Sequence, residues 1–138
     1  MTAQETEYDG EPDPEAERRG AERRVRPRVH LQPPHVATCA LRTKDGRRVE
    51  APIIDLSAEG VHTKVSEDAV PSWPGLRQEL DVELTLDGGE PITARAEVVW
   101  FGGAVDHGRR TYRCGFRLWL SDPEQEARLG AWLDAVGG

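Results

Sequence analysis

The clearest patterning in the chain is "LDVELTL", Leu80–Leu86, where Leu80, Val82, Leu84 and Leu86 alternate with Asp81, Glu83 and Thr85. Side chains of a strand change face at every residue, so this alternation predicts a β-strand with one buried and one wet side. "ITARAEVVW" repeats the pattern and sends Ile92, Ala94, Ala96, Val98 and Trp100 to one face. Between the two lies "DGGE", Asp87–Glu90, whose glycines can supply the positive φ of a tight hairpin turn. "RTYRCGFRLW" predicts a further strand with Tyr112, Cys114, Phe116 and Leu118 on a common face. Upstream, "HVATCALRT" (His35–Thr43) ends at the turn "KDG". "RVEAPIIDLS" (Arg48–Ser57) follows with Val49, Ala51 and Ile53 alternating, and "VHTKV" comes after Gly60. These are strand and turn signals throughout.

The period changes after Trp119. "SDPEQEARLGAWLDAV" opens with Ser121 and, three residues on, Glu124, a capping-box pattern with Pro123 in the first turn. Leu129, Trp132, Leu133 and Val136 then recur at helical spacing and form one apolar stripe. Six antiparallel strands followed by one helix predict a mainly β fold, a small six-stranded antiparallel barrel plugged at one end by a C-terminal α-helix at about 122–136.

Composition sharpens the boundaries. The length of 138 residues has room for one domain and a tail. Of the net charge of -7, residues 1–22 carry -6, from eight acids against Arg18 and Arg19. With Pro12, Pro14 and almost nothing apolar, that segment cannot offset its ordering entropy, and it reads as a disordered acidic tail ahead of a domain at 23–136. Cys39 and Cys114 are far apart and outside any metal spacing, and read as small buried hydrophobes. With no signal peptide and no long apolar run, they point to a cytoplasmic protein that does not insert in membranes.

Two short motifs carry the candidate chemistry. "ERRVRPRVHL" places Arg23, Arg24, Arg26 and Arg28 just where the tail gives way to foldable sequence. Pro27 excludes a helix interior there. Guanidinium forks bind phosphate oxygens bidentately and stack on planar bases. The second motif, "DLSAEG", ends a strand and turns through Gly60. Asp55 and Ser57 share strand parity, which predicts that both side chains leave the same face. A carboxylate can accept from the N–H groups of a guanine edge and a serine hydroxyl can serve a base or phosphate, while Gly60 relieves a sharp turn. Taken alone, the first motif reads more readily as a solvated basic run and the second as a turn that satisfies its own backbone.

Together, an R-x-x-x-R arm (Arg24, Arg28) and a D-x-S-x-x-G turn (Asp55, Ser57, Gly60) in a β-rich domain resemble the PilZ domain family. "GVHTKV" and "CGFRL" resemble strands of that family as well, and the likeness extends from Glu22 to Val136. The resemblance implies a six-stranded barrel that receives cyclic di-GMP, with an arginine arm (23–31) closing over the ligand. It implies that Arg24 and Arg28 hold phosphate and guanine with Arg23 assisting, that Asp55 and Ser57 fix the guanine, and that Gly60 holds the turn. The expected output is a ligand-dependent change relayed to an unidentified effector protein in motility or surface control. The alternative is an adaptor of the same fold that does not depend on the nucleotide.

Other readings find less support. "GGE" at Gly88–Glu90 is followed by Pro91 and reads as a hairpin turn. His30, His35, His62 and His107 are scattered, so no metal or other cofactor is expected. Asp55 and Ser57 have no histidine at any defined spacing, and no enzyme activity is expected. One short basic run without interleaved aromatics, beside an acidic tail, argues against DNA or RNA as partners.

Overall fold

A computed structural model of the chain describes residues 28–137. Seven strands are present: β1 (Val29–His30), β2 (Ala37–Arg42), β3 (Arg48–Leu56), β4 (Gly60–Val65), β5 (Glu79–Leu86), β6 (Ile92–Asp106) and β7 (Arg109–Trp119). They are followed by one helix, α1 (Pro123–Gly137). A 3-10 helix at Glu67–Ser72 separates β4 from β5. The strands order as β1-β3-β2-β5-β6-β7-β4, and β4 returns to pair with β3. The six strands β2–β7 therefore close into an antiparallel ring, with β1 as a short extra strand paired to the end of β3.

The ring is two three-stranded meanders, β2-β3-β4 and β5-β6-β7, each strand hydrogen-bonded to the next through a turn. Two seams join them: β2 with β5, where Cys39 faces Leu84, and β4 with β7, where Thr63 faces Cys114. Closing the ring leaves no ring strand with an unpaired edge over its paired length. Inside lie Cys39, Leu56, Val82, Leu84, Ile92, Ala96, Val98 and Cys114, each at most 1% exposed. Each large apolar side chain there contributes about 1.5–3 kcal/mol by leaving water. The Tyr112, Cys114, Phe116, Leu118 face predicted for β7 points inward, with Tyr112 half-buried.

Turn chemistry matches the sequence at the β5–β6 hairpin, where Asp87 and Gly88 both take positive φ, 52° and 74°. Asp87 also ties three elements together. Its Oδ1 accepts from the Val36 N–H at 2.8 Å, and its Oδ2 meets His35 Nδ1 and the Trp132 indole N–H, each at 3.0 Å. Helix α1 thereby lies across the barrel end, with Leu129 and Leu133 buried in the core. The helix cap differs from the expected one: Asp122, not Ser121, accepts the Glu124 N–H at 3.0 Å. Pro123 at the first helical position places the cap one residue later.

The β6–β7 hairpin is longer than the sequence pattern indicates. Alternation predicts an end to β6 at Trp100, but the strand runs on to Asp106 and pairs with Arg109 as a two-stranded ribbon beyond the last β4 contact. Val105 in this ribbon is exposed, so neither face imposes the alternation that reveals a strand in sequence. Among the described residues no helix is long and apolar enough to cross a membrane.

Candidate functional site

The turn from β3 to β4 is built by its own residues. The Ser57 N–H donates to the Gly60 carbonyl at 2.9 Å, and the Ser57 hydroxyl oxygen accepts from the N–H groups of Glu59 and Gly60, both at 3.2 Å. Ser57 is thus buried and engaged in the turn itself. Gly60 is required for a reason other than turn conformation. A Cβ there would lie 2.9 Å from the Phe116 carbonyl oxygen, so the strand can approach β7 only without a side chain.

Asp55 reaches the barrel exterior through a β-bulge. Ile53 faces Thr63 and Asp55 faces His62, which leaves Ile54 as the extra residue. Simple alternation would turn Asp55 inward with Ala51 and Ile53, and the bulge re-aims it outward. A second bulge does the same on β6, where Val98 faces Phe116 and Trp100 faces Gly115, with Val99 extra. Trp100, expected on the inner face with Val98, therefore lies outside.

The outcome is one row of cross-strand partners over five strands: His30 (β1), Asp55 (β3), His62 (β4), Gly115 (β7) and Trp100 (β6). Two glycines border Trp100, and it is Gly102 that leaves space for the indole. A Cβ on Gly115 would sit 3.6 Å from Trp100 Cβ, and one on Gly102 would sit 3.1 Å from its Cζ2. Trp100 meets His62 edge-on, with ring centroids 5.5 Å apart and planes at 86°. Asp55 is held from both sides, its Oδ1 2.8 Å from His30 Nδ1 and its Oδ2 3.3 Å from His62 Nδ1.

Cations surround this row. Arg28 is exposed at the root of the arm, immediately before β1, and Lys64 and Arg113 face each other across the β4–β7 seam. Burial holds the His62 pKa below the ordinary histidine value; contact with Asp55 opposes the shift, and the guanidinium charges of Arg113 and Arg28 add to it. His62 Nε2 and Arg113 Nε are buried without a hydrogen-bond partner among the described residues. Such a surface suits a ligand that brings N–H donors to the carboxylate and negative charge to the arginines.

Of the residues singled out in sequence, Arg28, Asp55, Ser57 and Gly60 come together around the β3–β4 turn and the arm root. Arg23 and Arg24, and the acidic segment 1–22, lie outside the described residues. The histidines correct an expectation: although no spacing linked them to Asp55, His30 and His62 both touch it, while the Ser57 hydroxyl is taken up by the turn. His62 was legible in principle, because a two-residue turn, Ala58–Glu59, between Ser57 and Gly60 fixes Leu56 opposite Val61 and hence Asp55 opposite His62. Nothing local reveals His30, whose pairing with Asp55 spans an intervening strand. Among the described residues no group of three or more His, Cys, Asp or Glu is arranged to hold a metal ion.

A family model places the chain in a family, and solved structures share its fold. The family model described as "PilZ domain" matches residues 17–135. No curated protein matches the sequence. The PilZ domain of YcgR from Escherichia coli, solved with c-di-GMP, is similar at 18% identity and a TM-score of 0.66, covering 83% of this chain and 92% of that one. The K. pneumonia MrkH–c-di-GMP complex is similar at 20% identity and a TM-score of 0.69, over 79% of this chain and 50% of that one. Borreliella burgdorferi PlzA in complex with c-di-GMP is similar at 12% identity and a TM-score of 0.59, over 88% of this chain and 55% of that one. The chain therefore spans about half the length of MrkH and PlzA. At these identities the likeness is one of fold.

Proposed function

This chain belongs to the PilZ domain family, and from that premise we propose that it is a non-enzymatic receptor for cyclic di-GMP that relays binding to a protein partner. The observation that carries the reading is the Asp55 carboxylate, turned to the barrel exterior by a bulge and set near the Arg28 root of an arginine arm. The ligand has the matching chemistry: guanine N–H donors for the carboxylate and phosphates for the guanidinium groups. The solved YcgR, MrkH and PlzA structures named above, each with c-di-GMP, support the same assignment.

In this reading residues 23–136 form the receptor domain behind an acidic segment, 1–22. Arg24 and Arg28 hold phosphate and guanine, with Arg23 beside them. Asp55 accepts from the guanine edge. Ser57 acts by shaping the turn that carries Asp55, Gly60 by letting β4 close against β7 beside it, and any contact of Ser57 with ligand uses the capacity its hydroxyl has left. The output is a change in how the arm and the acidic segment sit against the barrel, read by an effector protein in the cytoplasm, in motility or surface control.

The test is calorimetric titration of the full chain with cyclic di-GMP, beside Arg24→Ala and Asp55→Ala. Each lost charge-assisted contact is worth about 1.5–3 kcal/mol, so each substitution should weaken binding about tenfold or more. A folded wild type that does not bind would refute the receptor reading and leave an adaptor of the same fold.

A further inference from the structure

Both oxygens of Asp55 are engaged, but the two histidines that engage them are held very differently. The His30 side chain is 62% exposed and stands on a two-residue strand at the outer margin. The His62 side chain is 25% exposed, on a strand paired on both sides, with its ring edge-on to Trp100. A carboxylate only accepts hydrogen bonds, so the histidine nitrogen facing it carries the proton. Neutral His62 is therefore the Nδ1–H tautomer, and the lone pair lies on Nε2, which is buried without a hydrogen-bond partner among the described residues.

We propose that His62 is a positioning residue that holds Asp55 for a guanine base, and that His30 occupies the place on Oδ1 which the base takes. This rests on the receptor reading above. A guanine edge presents two adjacent N–H donors, which call for both oxygens of one carboxylate. Ionised, that carboxylate offers about four lone-pair sites, so Oδ2 serves His62 and the base together. The open approach to Oδ1 lies on the solvent side, where His30 sits. Moving His30 away requires only rotation of an exposed side chain. Moving His62 would break its contact with Trp100 and leave the carboxylate to swing. The histidines thus have opposite effects on affinity, one supporting the ligand and one competing with it.

Calorimetric titration of the full chain with cyclic di-GMP at pH 7.5, chosen as about one unit above the ordinary histidine pKa, separates these roles. His62→Ala should weaken binding by about fivefold, the loss of one hydrogen bond's orienting effect, and His62→Asn, which keeps a donor at the δ position, should restore it to within about twofold. His30→Ala should bind at least as tightly as wild type. His62→Asn as weak as His62→Ala would reduce His62 to packing, and a His30→Ala protein about tenfold weaker would make His30 a ligand contact; either overturns the proposal. Long-range 1H–15N spectra of the ligand-free wild type read the positioning directly and do not depend on any variant folding. The proposal requires His62 as the Nδ1–H tautomer, and an Nε2–H tautomer overturns it. A wild type that shows the Nδ1–H tautomer yet binds no nucleotide identifies the receptor reading as what failed, and the His30 exchange fails with it.

Discussion

Gly60 gives the sharpest test of how the site is built. A Cβ added there would lie 2.9 Å from the Phe116 carbonyl oxygen, roughly half an ångström short of ordinary contact. The obstacle is backbone in the β4–β7 seam, so it cannot be relieved by a rotamer change. In Gly60→Ala either β4 lifts from β7 at Gly60↔Arg117 and Val61↔Phe116, or the carbonyl tilts out of line with its donor. Overpacking of this kind costs about 1–3 kcal/mol. For a domain of this size each kcal/mol corresponds to a fall of about 4–8 °C in Tm, or about 0.3–1 M in the urea midpoint. Gly75 is the control: it has ordinary φ and open space within 4 Å, so Gly75→Ala should be neutral or slightly stabilising. Urea unfolding followed by tryptophan fluorescence would measure both. A Gly60→Ala protein as stable as wild type would mean that the seam has slack for a methyl group, and steric exclusion by Phe116 would not be what requires glycine there.

Two further outcomes are expected. The Val36 N–H, then His35 and the Trp132 indole, hold the Asp87 carboxyl below the ordinary carboxylate range. Its stabilisation is therefore fully present above the ordinary carboxylate pKa and is lost as the pH falls through the depressed folded value. Asp87→Asn should lower the urea midpoint at neutral pH, with the gap from wild type closing at strongly acidic pH; a gap constant with pH would refute the assignment. Burial raises both Cys39 and Cys114 to about 12, so each stays a protonated thiol at mildly alkaline pH. Ellman's reagent should leave both unmodified in the native protein and titrate both in urea, and fast reaction without denaturant would contradict their place in the core.

The parts of this fold that were legible in sequence are those where one rule decides. Alternation identified β5, β6 and β7 because each has one face in the core, as with Val82 and Leu84 against Asp81 and Glu83. The helix was legible from Leu129 and Leu133, and the hairpin from its glycines. What was not legible arises where two rules compete or where the partner is remote. The bulges at Ile54 and Val99 break a two-residue period without a glycine or proline at the extra residue, and they decide which way Asp55 and Trp100 point. β1 is too short to show a period, and its place beside β3 is set by Val29 packing into the core and against Gly137. The sequence located the turn that carries Asp55, Ser57 and Gly60, but not the histidines that engage the Asp55 carboxylate.

The two-meander ring also has a consequence for the order in which the molecule assembles. Within each meander the pairings are local and can form early, whereas the seams need residues far apart in the chain to meet, as Thr63 meets Cys114. Loop closure makes such pairings slow, in the range of milliseconds to seconds for barrels of this kind. The row at the site draws His30, Asp55 and His62 from one side of the β4–β7 seam and Gly115 and Trp100 from the other. A folding chain therefore has no complete row until the seam closes. If closure follows the rate-limiting barrier, Gly60→Ala should chiefly accelerate unfolding and leave refolding nearly unchanged, and stopped-flow chevrons showing slowed refolding instead would put the seam in the nucleus.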